Sequence, residues 1–127
     1  MTGLESSRLR NYEDKRMGLK EALGLIKTGD HIFIGSACGE PQHLVKGLVE
    51  KADHLADNEI LHVHTLGVAP YTKPIYSDRF RLNAFFVGIN TREAVAEGRA
   101  DYTPIFLSDL PHVISRGAVP IDVALIQ

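Results

Sequence analysis

No internal disulfide can form in this chain, because Cys38 is its only cysteine. The paired CxxC spacing of redox and zinc sites is absent for the same reason, and a reducing cytoplasm is the expected compartment. No apolar run approaches the roughly 18 residues that a membrane span needs. The opening MTGLESSRLRNYEDKRMG is polar and contains acids, without the apolar centre of a secretory signal. An excess of charge is lacking as well. With 14 basic and 16 acidic residues and a net charge of −2, there is no basic stripe to neutralise phosphates, so no nucleic acid is expected as a partner. Neither a Walker sequence nor a GxGxxG fingerprint occurs, which argues against a dinucleotide-binding oxidoreductase.

What is present suits a folded domain. A length of 127 residues, 44% hydrophobic and 24% charged, has room for one buried core and the composition of an ordinary globular chain. Residues 1–17 read as a polar, solvated arm with a helical turn or two, and residues 18–127 as the domain proper. Leu19, Ala22, Leu23 and Ile26 recur at helical spacing, with Glu21 placed to support the start and Gly29 to close the end. His31 to Ile34 reads as a strand that stops at a small-residue turn, Gly35 to Gly39. Pro41 then suits a helix start, and Leu44, Val45, Leu48, Val49 and Ala52 make one apolar face.

The alternation continues. Strands are predicted over Ile60–Leu66 and Leu82–Val87, and a short helix over Thr91–Arg99 capped by Asn90 or Thr91. A further helix is predicted over Ser108–Arg116, closed by Gly117, and a last strand over Asp122–Ile126. Val68 to Phe80, with two prolines and two tyrosines, reads as an irregular crossover, and Asp101-Tyr102-Thr103-Pro104 as a turn. Strands alternating with helices of this length imply βαβ units. The fold class is therefore α/β, a mostly parallel, Rossmann-like sheet flanked by helices. The final run Val123-Ala124-Leu125-Ile126 has the character of a strand buried on both faces. It is followed by Gln127 with no covering helix, so the domain is expected to be incomplete at this end and to be finished by further chain or by another copy.

Open parallel sheets bind ligands at the carboxyl ends of their strands, which directs attention to the turn Gly35-Ser36-Ala37-Cys38-Gly39-Glu40-Pro41-Gln42. Glycines let backbone approach a ligand, and amides at a helix start face an anion or developing oxyanion; a tight connection without a ligand would be written the same way. Cys38 has no base to make it a nucleophile and reads as a small packed thiol. His62 and His64 share a face if their strand is regular, but no third ligand accompanies them, so no metal is expected. Asn90 and Arg92 follow the third strand at the same rim. Asn90 reads as a cap or a ligand contact, and Arg92 as a solvated side chain or a partner for a carboxylate or phosphate.

Taken in order, LKEALGLIKTGDHIFIG from Leu19, GEPQ at Gly39–Gln42, HTLG at His64–Gly67, ADYTPIFLSDLP from Ala100 and PIDVALIQ from Pro120 resemble the acetyl-CoA hydrolase/transferase family. Its members include acetate and 4-hydroxybutyrate CoA-transferases. The resemblance implies a two-domain enzyme with its active site between related α/β halves, an acyl-CoA and a small carboxylate as substrates, and no tightly bound cofactor. In such enzymes a glutamate attacks the thioester to give an acyl-glutamyl anhydride, the CoA thiolate returns to form a glutamyl-CoA thioester, and an incoming carboxylate collects the CoA. That glutamate belongs to the second half of the family pattern, so no catalytic residue is expected in this chain. Gly35, Ser36, Gly39, Glu40, Pro41, Gln42, Asn90 and Arg92 are expected to line the acyl or carboxylate side of the cleft. The missing half would come in cis or in trans, and a homo-oligomer is expected. Release of the acyl group to water and a non-catalytic, self-associating module are the alternatives.

Overall fold

The computed structural model describes residues 11–127. Of the expected arm, residues 1–10 lie outside that range; residues 11–15 are helical, and all side chains from 11 to 17 are exposed. Helix α1 (Leu19–Leu23) is followed by strand β1 (His31–Ile34), helix α2 (Gln42–Lys51), and strands β2 (Asn58–His62) and β3 (Phe80–Ala84). Helix α3 (Arg92–Ala96), strand β4 (Ala100–Tyr102), helix α4 (Leu110–Ser115) and strand β5 (Val123–Leu125) complete the order. The five strands form one sheet, ordered β4-β3-β2-β1-β5, and every pairing is parallel. The expected α/β architecture is therefore present. No helix among the described residues is long and apolar enough to cross a membrane.

Alternation along each strand divides the side chains between two layers. On one face Ile32, Ile34, Ile60, Leu82, Ala84 and Leu125 join Leu23 of α1, Val45, Leu48 and Val49 of α2, and Ala94 of α3 in the main core. On the other, Leu61 and Phe85 meet Leu110 of α4, with Phe33 and Ile114 packed alongside. Helices thus cover both faces. Towards the strand starts the second face is polar. Asp122, His31, Glu59, Arg81 and Asp101 run across it, linked by a His31 Nδ1 to Asp122 Oδ2 contact of 2.8 Å and a two-bond Arg81–Asp101 pair.

Several boundaries differ from the sequence expectation, each for a local reason. Helix α1 stops at Leu23, and Gly29, at φ +82°, serves a turn before β1 instead of closing the helix. Strand β2 begins at Asn58, which the core admits because its Nδ2 donates to Lys27 O at 2.7 Å and Asp30 O at 3.0 Å, so both amide hydrogens are satisfied. It ends at His62, where residues 63–67 peel away into a rim loop. Strand β3 starts two residues earlier than the apolar run suggests, at Phe80. The expected turn at Asp101-Tyr102 is strand β4; Ala100 is buried beneath α3 while the charged Asp101 is neutralised by Arg81 of β3. The final strand, expected to be buried on both faces, pairs with β1 alone among the described residues, and only Leu125 of its run is buried. An apolar groove of about 430 Å³ beside it is lined by Leu23, Leu25, Ile26, Leu44, Val123 and Ile126.

Candidate functional site

Three loops leave the carboxyl ends of β1, β2 and β3, and polar contacts sew them into one rim. After β1, the Gly35 amide donates to Leu125 O at 2.9 Å, and a Cβ at this position would stand 3.0 Å from Gly39 O, so the tight turn calls for glycine. The hydroxyl of Ser36 accepts from the amides of Val63 at 3.0 Å and His64 at 3.3 Å, and the Ala37 amide donates to His64 O at 2.9 Å. These bonds fasten the first loop to the second. Ala37 takes φ +54° at the start of a 3-10 turn, Ala37–Gly39, whose Cys38 is exposed.

Glu40 lies beneath this surface, 4% exposed. Its Oε2 accepts from the Thr65 hydroxyl in a short contact and from the Gly67 amide at 3.1 Å. Gly67 in turn offers its carbonyl to Asn90 Nδ2 at 2.6 Å, which ties in the third loop. A Cβ on Gly67 would fall 2.5 Å from Glu40 Oε1 and 2.6 Å from Gln42 Nε2, so the absence of a side chain is what lets these loops close. Gly88 plays the same part further on, where a Cβ would meet His64 Cε1 at 2.9 Å.

Two ionisable rings lie under the rim with no hydrogen-bond partner among the described residues. His62 is 1% exposed, and both its ring nitrogens are unpartnered. Burial, reinforced by the neighbouring His64, pushes its pKa down to about 4, so it is neutral near pH 7. Tyr71, whose ring centroid is 6.2 Å from that of His62, is held as a phenol well above its ordinary range, by burial first and the charge of Glu40 second. Among the described residues no three His, Cys, Asp or Glu side chains are grouped closely enough to hold a metal.

Residues 4–127 match the sequence pattern of the acetyl-CoA hydrolase/transferase N-terminal domain. The chain belongs to this family. It is 40% identical over 116 residues to the 4-hydroxybutyrate coenzyme A transferase of Clostridium kluyveri, a match spanning 91% of this chain and 27% of that protein. It is 41% identical over 109 residues to the succinyl-CoA:acetate/propanoyl-CoA:succinate CoA transferase of Fasciola hepatica, spanning 84% and 22%. The chain thus spans about a quarter of the length of these curated relatives. Among solved structures, RipA from Yersinia pestis superposes with a TM-score of 0.80 at 21% identity, over 91% of this chain and 29% of that one. The 4-hydroxybutyrate CoA-transferase of Porphyromonas gingivalis gives 0.70 at 18%, over 94% and 26%. At these identities the superpositions establish the fold.

In this acetyl-CoA hydrolase/transferase domain the rim gathers most of the residues singled out from the sequence. Ser36, Glu40 and Asn90 are hydrogen-bonded to the loop after β2, Gln42 lies against Gly67, and Gly35 and Pro41 belong to the same turn. Gly39 and Gln42 are exposed, while Glu40 and Pro41 face inward. Asn90 does not cap α3; the residue at the cap is Thr91, and the Asn90 side chain reaches across to Gly67. Arg92 is exposed on the first turn of α3. His62 and His64 do not form a regular pair, because the strand ends between them and the His62 ring is buried. Thr65, Gly67 and Tyr71 were not marked by sequence reasoning. The HTLG motif pointed to the first two without giving them a task, and Tyr71 lay hidden in the irregular crossover, on a 3-10 turn at Pro70–Thr72.

Proposed function

We propose that this chain is the substrate-facing N-terminal domain of an acyl-CoA:carboxylate CoA-transferase, of the acetyl-CoA or 4-hydroxybutyrate type. The observation that carries the reading is the rim itself, three loops at strand carboxyl ends held together where an open parallel sheet receives ligands. The names of the curated relatives support a CoA thioester as the substrate, with a small carboxylate as acceptor; on this reading the chemistry needs no resident cofactor. On this reading Gly35, Ser36 and Gly39 present backbone to the acyl group, and Gln42, Asn90 and Arg92 supply polar contacts to a carboxylate or thioester oxygen. Glu40 and Pro41 form the floor under them.

The glutamate that attacks the thioester is supplied by a second domain, in cis or in trans, and the enzyme works in a reducing cytoplasm as a homo-oligomer. Glu40 is unsuited to that attack, being buried and engaged by Thr65 and Gly67. A transferase is distinguished from a hydrolase by following acetyl-CoA with the complete enzyme. Transfer requires an added carboxylate and conserves the thioester, whereas hydrolysis releases free CoA without an acceptor. Arg92→Ala and Gln42→Ala in that enzyme are expected to lower kcat/KM by about tenfold each, the equivalent of one charge-assisted or well-placed hydrogen bond. Unchanged kinetics in both would remove the rim from the active site. The apolar groove beside β5 favours a second reading, a module that associates with its own copies; a concentration-independent monomer by light scattering would dismiss it.

A further inference from the structure

We infer that Glu40 is a positioning residue: from beneath the rim its carboxylate fixes the loop after β2 and, through Gly67, sets where Asn90 stands. The inference rests on the reading of this rim as the substrate side of a transferase cleft.

A carboxylate taken out of water loses hydration that only hydrogen bonds or a cation can replace. Glu40 is 4% exposed, and its bonded partners are neutral, the Thr65 hydroxyl and the Gly67 amide, both on Oε2. Its Oε1 is buried without a partner among the described residues. A leucine would fill this space and strand no oxygen, so filling the core does not explain the side chain; holding the 65–67 loop does. The hold is cooperative, since the Gly67 amide also donates to Thr65 Oγ1 at 3.1 Å, which makes hydroxyl, amide and carboxylate a closed set. Gly67 then passes the constraint to Asn90 through its carbonyl at 2.6 Å. The first loop supplies the carboxylate, the second is gripped by it, and the third is steered by the second. Glu40 acts on the third only through Gly67, so it touches no reacting atom.

The inference separates an acceptor from a filler of the same size. In Glu40→Gln the amide oxygen can still accept from Thr65 and Gly67; in Glu40→Leu it cannot. Amide exchange at Gly67 and the Asn90 side-chain resonance, followed by NMR on the full chain, are expected to stay near those of the unmodified protein in the glutamine variant. In the leucine variant Gly67 should exchange about tenfold faster, the worth of one lost buried hydrogen bond, and the Asn90 resonance should move. In the complete transferase the leucine variant should lower kcat by about tenfold with KM changed less than about threefold, with the glutamine variant restoring most of it. If the leucine variant does not fold, Thr65→Val removes one of the two donors and should shift Gly67 and Asn90 in the same direction by less. Glutamine and leucine variants alike in exchange, resonance and kinetics would overturn the inference, as would a Thr65→Val protein with both signals unmoved. Absence of any transfer by the unmodified complete enzyme would defeat the proposed function, while the NMR comparison would still decide for or against Glu40.

Discussion

At Gly67 the rim depends on a missing side chain. A methyl group would press on Glu40 Oε1 at 2.5 Å, an atom that is itself buried on a carboxylate held through its other oxygen by Thr65 and Gly67. Gly67→Ala is therefore expected to cost about 1–3 kcal/mol, as overpacking does, read as a lower urea midpoint. Gly39→Ala, where an added Cβ meets nothing within 4 Å, should leave the midpoint in place; equal midpoints for the two variants would refute the packing account. His62 makes a pH prediction. Its folded pKa of about 4 lies below its ordinary 6.5, so the unfolded chain binds the extra proton between these values. Stability is then full above about pH 6.5 and falls as pH drops towards 4, by a loss on the order of 3 kcal/mol. His62→Leu should flatten urea stability across that window, and a slope as steep as the unmodified protein's would contradict the assignment. Asp101, held low by its bonds from Arg81, and Asp122, held low by bonds from His31, lose their partners only at lower pH. Of these residues the sequence made Gly35, Glu40, Gln42 and Asn90 visible as a rim group, because turn chemistry and position announce them. It did not reveal that Glu40 points inward, since a charged residue in a loop is normally solvated and only a tertiary contact with Thr65 reverses that.

Helix α2 shows what elements add. It carries the GEPQ turn at its start and buries Val45, Leu48 and Val49, the face its periodicity predicted. Its far end is held by Arg79, which precedes β3 and donates to the carbonyls of Leu48 at 3.2 Å, Val49 at 3.1 Å and Ala52 at 2.6 Å. A guanidinium here satisfies carbonyls that a helix end leaves open and answers the partial negative charge of the terminus. The cation also lies 5.0 Å from the centre of the Phe80 ring. Arg79→Ala is expected to cost about 2–3 kcal/mol by urea denaturation. Asp53→Ala should cost nearly nothing, its 3.7 Å contact to the same arginine being open to solvent. Comparable losses in the two would show that the ion pair, and not the helix end, is what Arg79 serves. No local pattern predicts this clamp, because the arginine and the carbonyls are about 30 residues apart. The same limit explains strand β4: three residues with one charged side chain read as a turn until Arg81 lies alongside. Strands β1 and β5 and helix α2 were legible because periodicity and turn residues agree there.

At the scale of the whole molecule, alternating strands and helices were enough to specify a parallel sheet with helices on both faces, and the order of motifs was enough to specify the family. Strand order was not legible, since the placement of β5 beside β1 depends on the pairing of Ile32 with Val123 across the chain. Nor could periodicity show that β5, beside an open apolar groove, would pair with β1 alone among the described residues. The rim, the groove and the polar row along the strand starts are three distinct surfaces, of which the proposed function gives the rim to the substrate. The proposed function turns on where the nucleophile lies. Borohydride treatment of the complete enzyme in the presence of acetyl-CoA, followed by peptide mass spectrometry, marks the glutamate that carries the acyl or CoA group. The account predicts one reduced glutamate, outside residues 1–127; a reduced glutamate within them, Glu40 above all, would contradict it.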